Sequence, residues 1–182
     1  MDSPVTFDRE KFRELVLYVA RESEDDVHFG ATKLNKILYF SDFKAFAIIG
    51  NAITGAAYQR LERGPAPRQM LPMLKEMERE GEVTRTDRRY FTLLQKRVQP
   101  LRNPDMRAFS QQEIEIVDNV MNELRLLNAA QVSALSHLET GWQIARHGET
   151  IPYHSSYISD RRPTQRELAK RGLGAASGHG SE

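Results

Sequence analysis

Residues 31–48 read ATKLNKILYFSDFKAFAI, and this stretch constrains the fold more than any other. Leu34, Ile37, Leu38, Phe40 and Phe43, joined by Tyr39, Phe46 and Ile49, recur at helical spacing and cover most of the circumference of one helix. A helix that is apolar on so many sides belongs at the centre of a domain, with other elements packed around it. Gly50 supplies the stop, because a helix ends readily on a residue that accepts a left-handed backbone. The chain has 182 residues, enough for one such domain and a tail. The reading is therefore one domain over residues 1–163, then a short charged helix and a disordered Gly/Ser/Ala tail over 164–182.

The flanking segments predict a mainly α-helical, α+β architecture. Phe12, Leu15, Val16 and Val19 mark a first helix from about Phe7 to Ser23, with Asp8 as its N-cap. A short strand is expected within Ile53–Leu61, closed by a sharp Gly64-Pro65 corner. A helix follows over about 67–80, or from Pro72, since proline is tolerated in a first turn. Alternation over 82–86 and 90–98 predicts a β-hairpin with Asp87, Arg88 and Arg89 as its tip. Ser110 and Glu113 spell a capping box for a helix to about Leu127, buried through Ile114, Val117, Val120, Met121 and Leu124. Asn128 opens another helix to about Arg146, with Val132, Leu135, Leu138, Trp142 and Ile144 as its apolar residues, and 147–163 form a loop.

Composition narrows the functional classes. There is no cysteine, so disulfides, thiolate nucleophiles and Cys-based zinc sites are excluded. The N-terminus lacks the basic-then-apolar order of a secretory signal, and no apolar run approaches the ~20 residues of a membrane helix. These features predict a cytoplasmic protein with no membrane contact. The net charge of +1 hides a basic middle: residues 60–107 hold 12 Lys/Arg against 7 Asp/Glu.

Catalytic chemistry finds little support. His137, His147 and His154 with Glu139 and Glu149 match no metal-ligand spacing, so no metal is assigned. No Gly-rich phosphate loop, nucleophile elbow or nucleophile–base pair is present, and no cofactor is called for. The reading is non-enzymatic. A second reading comes from the helix and hairpin over 65–98, which have the order of a winged helix. In that case Arg85, Arg88 and Arg89 would contact phosphates of nucleic acid. Glu76, Glu78 and Glu80 on the helix oppose it.

Thr32 to Phe40, TKLNKILYF, resembles the signature helix of the Panacea domain of SocA-like antitoxins, a phage-associated group also described as GepA-like. The resemblance continues through the Ile53-Thr54 segment, Tyr58, and the Gly64-Pro65 corner, with Ala66 where valine is common. It closes on Leu135-Ser136-His137, Gly141-Trp142 and Ile151, spanning roughly residues 8–158. Such a domain implies an antitoxin whose partner is a cognate protein toxin encoded beside it, bound directly and without catalysis. Self-association stays open. Leu34, Leu38, Tyr39, Phe40, Tyr58, His137 and Trp142 then read mostly as structural, with Trp142 buried between helices. Lys33 and Lys36 are expected on the less apolar side of their helix and Arg63 at the surface. With Gly64 and Pro65, these form the candidate toxin contact.

Overall fold

The computed structural model describes residues 5–90 and 93–158; the charged helix and tail expected over 164–182 lie outside the described residues. Helix α1 spans Arg9–Glu22 and is opened by Asp8, whose carboxylate accepts a hydrogen bond from the Lys11 N–H at 2.9 Å. Helix α2, Ala31–Ile49, is the central element predicted from its apolar circumference. It packs against α1 and the rest of the core, burying Leu34, Ile37, Leu38, Tyr39, Phe43 and Phe46. Gly50 ends it with φ 77°, its N–H returning to the Phe46 carbonyl at 3.0 Å.

Beyond α2 the predicted strand shrinks. Only Tyr58–Gln59 (β1) is a strand, paired antiparallel with Ala66–Pro67 (β2) across the Gly64-Pro65 corner, and Gln59 also bridges to Thr150. Residues 53 and 54 are instead held by side chains and loops, including the Thr54 carbonyl that accepts the Asp8 N–H at 2.8 Å. Helix α3, Met70–Arg79, buries Met70, Met73, Leu74 and Met77 and carries Pro72 in its first turn, where no N–H is required.

The hairpin is β3, Val83–Tyr90, and β4, Leu93–Pro100. Its register runs from Val83↔Pro100 to Tyr90↔Leu93, so Asp87, Arg88 and Arg89 lie within β3 rather than at a tip. Pairing continues through them because each faces a partner residue, Asp87 opposite Lys96 in particular, and opposite charges across strands favour pairing. Helix α4, Gln111–Leu124, has the predicted Ser110/Glu113 capping box; Ile116 joins Val117, Val120 and Leu124 in the core, while Ile114 is only half-buried.

The single helix expected over 128–146 is two. Asn128 caps α5, Ala129–His137, and α6 runs Thr140–Ile144 after an extended Glu139. The break has a packing cause. Gly141 presses onto the segment that follows, where an added Cβ would collide with Ser155 and with Ile151 Cγ2 at 2.7 Å. Redirecting the chain there leaves Leu138 and Ile144, expected to be apolar contacts, 69% and 65% exposed. A short 3-10 turn, Tyr153–Tyr157, then returns against α2. Two small antiparallel sheets on a mostly helical body give the α+β class expected from the sequence. Among the described residues, no helix is long and apolar enough to cross a membrane.

Arginines lock the outer layer to this core. Arg13 on α1 reaches Glu82 at 2.5 Å and also Glu80, while Arg102 bridges Glu14 and Glu82 at 2.7 Å each. Arg97 donates to the carbonyls of Ser23, Glu24 and Asp26, fixing β4 to the end of α1.

Candidate functional site

The residues singled out by the signature fall into two groups in space. Lys33 and Lys36 were expected at the surface; they are 1% and 2% exposed. No residue of α2 between Lys33 and Phe46 is exposed, and both lysines run inward and end on oxygen acceptors. Lys33 Nζ donates to Asp26 Oδ2 at 2.6 Å and to the carbonyls of Arg125 and Leu127 at 2.9 Å each. A cation at those carbonyls terminates α4 and meets the negative end of its dipole. Lys36 Nζ donates to the Pro65 carbonyl at 2.9 Å, tying α2 to the corner, and burial pushes its ammonium down to about 8.

That corner is built around Gly64, at φ 94°, a left-handed conformation that favours glycine. A Cβ there would collide with Ser136 Oγ and with Lys36 Cε at 2.6 Å, so α2, the corner and α5 meet at glycine contact. Gly64 and Pro65 are themselves buried, and of the five candidate contact residues only Arg63 is exposed. In a free chain, Lys33, Lys36, Gly64 and Pro65 therefore shape the surface rather than form it.

Above the corner stands a group that includes a residue the sequence reading missed. The His137 ring stacks on Trp142 with centroids 4.0 Å apart and planes 17° apart. The Arg60 guanidinium lies over the same indole, 4.1 Å from its centroid, and its Nε donates to the Trp142 carbonyl at 3.0 Å. Trp142 Nε1 in turn donates to the Leu61 carbonyl at 3.1 Å. Trp142 is thus half-buried at the rim of the core, not enclosed between helices as expected. Burial, and after it the Lys36 cation, lowers the His137 pKa below the ordinary imidazole value, which favours a neutral ring on the indole. Arg60 could have been found in sequence only as an arginine two residues past Tyr58; nothing in that spacing announces a stack on a tryptophan 82 residues away.

The other signature residues are in the core. Leu34, Leu38, Tyr39 and Tyr58 are buried and Phe40 is half-buried against them. Tyr58 donates to Asp42 Oδ2 at 2.7 Å, and the fully buried Asp42 also accepts the Thr54 N–H at 2.7 Å. Desolvation raises the Asp42 pKa, opposed by these hydrogen bonds. A buried acid with donors from Thr54 and Tyr58 joins α2 to the loop before β1. Among the described residues, no group of histidines and carboxylates could hold a metal ion.

The arginines of the winged-helix reading divide. Arg85 is engaged by Glu78, with Nη2 at 2.6 Å and Nε at 2.8 Å, whereas Arg88 and Arg89 are exposed on β3. On α3, Glu76 pairs with Arg9 and Arg13, and Glu80, just past its end, with Arg13. The acids in and just after this helix are thus paired largely with α1, while Arg88 and Arg89 of the wing stay exposed.

Central helix, glycine corner and aromatic stack together define a mostly helical α+β domain whose conspicuous motifs serve to hold one corner in place. The family of antitoxin SocA-like, Panacea domains matches residues 34–143, more than half of the chain, and the chain belongs to that family. The matched region contains Lys36, Tyr39, Tyr58, Gly64-Pro65, His137 and Trp142. A search of curated proteins found no match, and neither did a search of solved structures.

Proposed function

We propose that this chain is the antitoxin of a toxin–antitoxin pair, and that it neutralises a cognate toxin encoded beside it by direct, non-catalytic binding in the cytoplasm. Membership of the antitoxin SocA-like family is the observation that carries this reading. The contact surface is the outer side of the glycine corner, with Arg63 and the Arg60–Trp142–His137 stack, and not α2. Exposed Leu138 and Ile144 on the adjoining α5–α6 segment support it, because exposed apolar side chains beside Trp and Arg have the composition of an interface centre. The test is induction of the neighbouring reading frame with and without this chain, followed by co-purification. Growth arrest relieved by co-expression, together with a stable complex, supports the proposal. Arrest that persists with both proteins soluble refutes it.

A further inference from the structure

Several arginines of this fold have carboxylate partners, whereas Arg68 and Arg97 end on neutral oxygens. Arg9 and Arg13 reach Glu76, Arg85 reaches Glu78, Arg102 reaches Glu14 and Glu82, and Arg107 reaches Asp105. Arg60 differs. Its Nε is used by the Trp142 carbonyl and its guanidinium carbon lies 4.1 Å from the indole centroid, yet no carboxylate among the described residues forms an ion pair with it. The backbone of Arg60 is fixed as well, its N–H donating to the Glu149 carbonyl at 2.9 Å and its carbonyl accepting the Gly148 N–H at 2.8 Å. Nearby, Glu149 turns its carboxylate to the Arg146 N–H at 2.7 Å, and Glu62 makes no ion pair in the described structure.

A guanidinium held over an indole at a half-buried rim by its Nε, with no hydrogen bond from its terminal amino groups among the described residues, is already organised for a two-pronged bond to a carboxylate. Little side-chain freedom remains to be lost when that bond forms. Exposed Arg63 adds a second cation on the same turn, and exposed Leu138 and Ile144 add apolar surface. The indole is already stacked by Arg60 and His137, which favours a protein carboxylate over an unstacked nucleic-acid base as the occupant.

Resting on the toxin-binding reading, we infer that Arg60, presented on Trp142, is the anchor that receives an aspartate or glutamate side chain of the partner toxin. Arg60 is then a specificity-determining contact residue, and the partner surface it fits is acidic with apolar neighbours.

The test uses the full chain and the protein encoded by the neighbouring reading frame, with binding measured by calorimetry and folding by thermal melting. Arg60→Met should weaken binding by about 30-fold or more, the loss expected when one partner of a buried interfacial charge pair is truncated. Arg60→Lys keeps the charge but not the planar fork, and should recover only part of that loss. Substituting acidic residues of the partner one at a time should reveal one whose effect vanishes in the Arg60→Met background. Should Arg60→Met prove unstable, Arg60→Lys and the partner substitutions carry the same comparison. Wild-type binding retained within about threefold in both Arg60 variants overturns the anchor while leaving the antitoxin reading intact. Absence of wild-type binding overturns both. Retention of a labelled duplex or single-stranded oligonucleotide that is lost in Arg60→Met would overturn the anchor in favour of a nucleic-acid contact.

Discussion

Replacing Lys33 with methionine keeps the length of the side chain and removes its ammonium. The wild-type Nζ satisfies Asp26 and two backbone carbonyls at the end of α4, from a side chain that is 1% exposed. Truncating one partner of a buried ion pair costs about 3–5 kcal/mol, because the remaining charge is left without compensation. The Asp26 side chain is 11% exposed, so little water can replace the lost cation. The Arg125 and Leu127 carbonyls lie nearer the surface and recover solvent, so about 4 kcal/mol is the expected total. For a chain of this size each kcal/mol moves the melting temperature by roughly 2–4 °C, which predicts a fall of about 8–16 °C. Thermal denaturation followed by far-ultraviolet circular dichroism reads it directly. A fall of less than about 3 °C with an unchanged spectrum would mean that Lys33 is a surface residue after all, and that the lysine-anchored end of α4 is misassigned.

Lys36→Met should change the pH dependence of stability. The folded Lys36 ammonium titrates at about 8 against an ordinary 10.5, so between those values the unfolded chain binds the extra proton and stability rises with pH. Urea denaturation at about pH 7.5 and about pH 9.5 should show a gain of roughly 1–2 kcal/mol in wild type that is missing in Lys36→Met. Gly64→Ala should destabilise more than Gly50→Ala, although φ is positive at both. The added methyl at Gly50 meets open space, while at Gly64 it meets Ser136 and Lys36, so melting should separate the two variants by about 1–3 kcal/mol. Trp142→Phe keeps a ring in the stack but loses the bond to the Leu61 carbonyl, costing about 1 kcal/mol in chemical denaturation.

The parts of the fold legible in sequence are those written locally. The apolar circumference of α2, the glycine after it, and the Asp8 and Ser110 caps each depend on neighbouring residues, and the structure has them where they were expected. The parts read differently depend on distant residues. Nothing within 128–146 says that Gly141 must press against Ser155, so one periodic helix was expected where two form. Nothing within 31–48 says that acceptors from Asp26, Pro65, Arg125 and Leu127 will converge on two lysines. A lysine on a mostly apolar helix defaults to solvent in a sequence reading, and here the stretch of the helix that carries both lysines is covered by its neighbours. Arg60 escaped notice for the same reason, since its stacking partner lies 82 residues away.

Direct binding and catalytic inactivation differ in stoichiometry, and the most direct measurement is therefore a titration. The activity of the purified toxin, in whatever reaction arrests growth, is followed as this chain is added at concentrations well above the dissociation constant. Neutralisation by binding predicts that activity falls linearly with added antitoxin and reaches its floor at a fixed small-integer ratio, independent of incubation time. Complete inactivation by a small fraction of an equivalent, advancing with time, would show turnover and contradict the account, as would toxin activity unchanged by any excess of the folded chain.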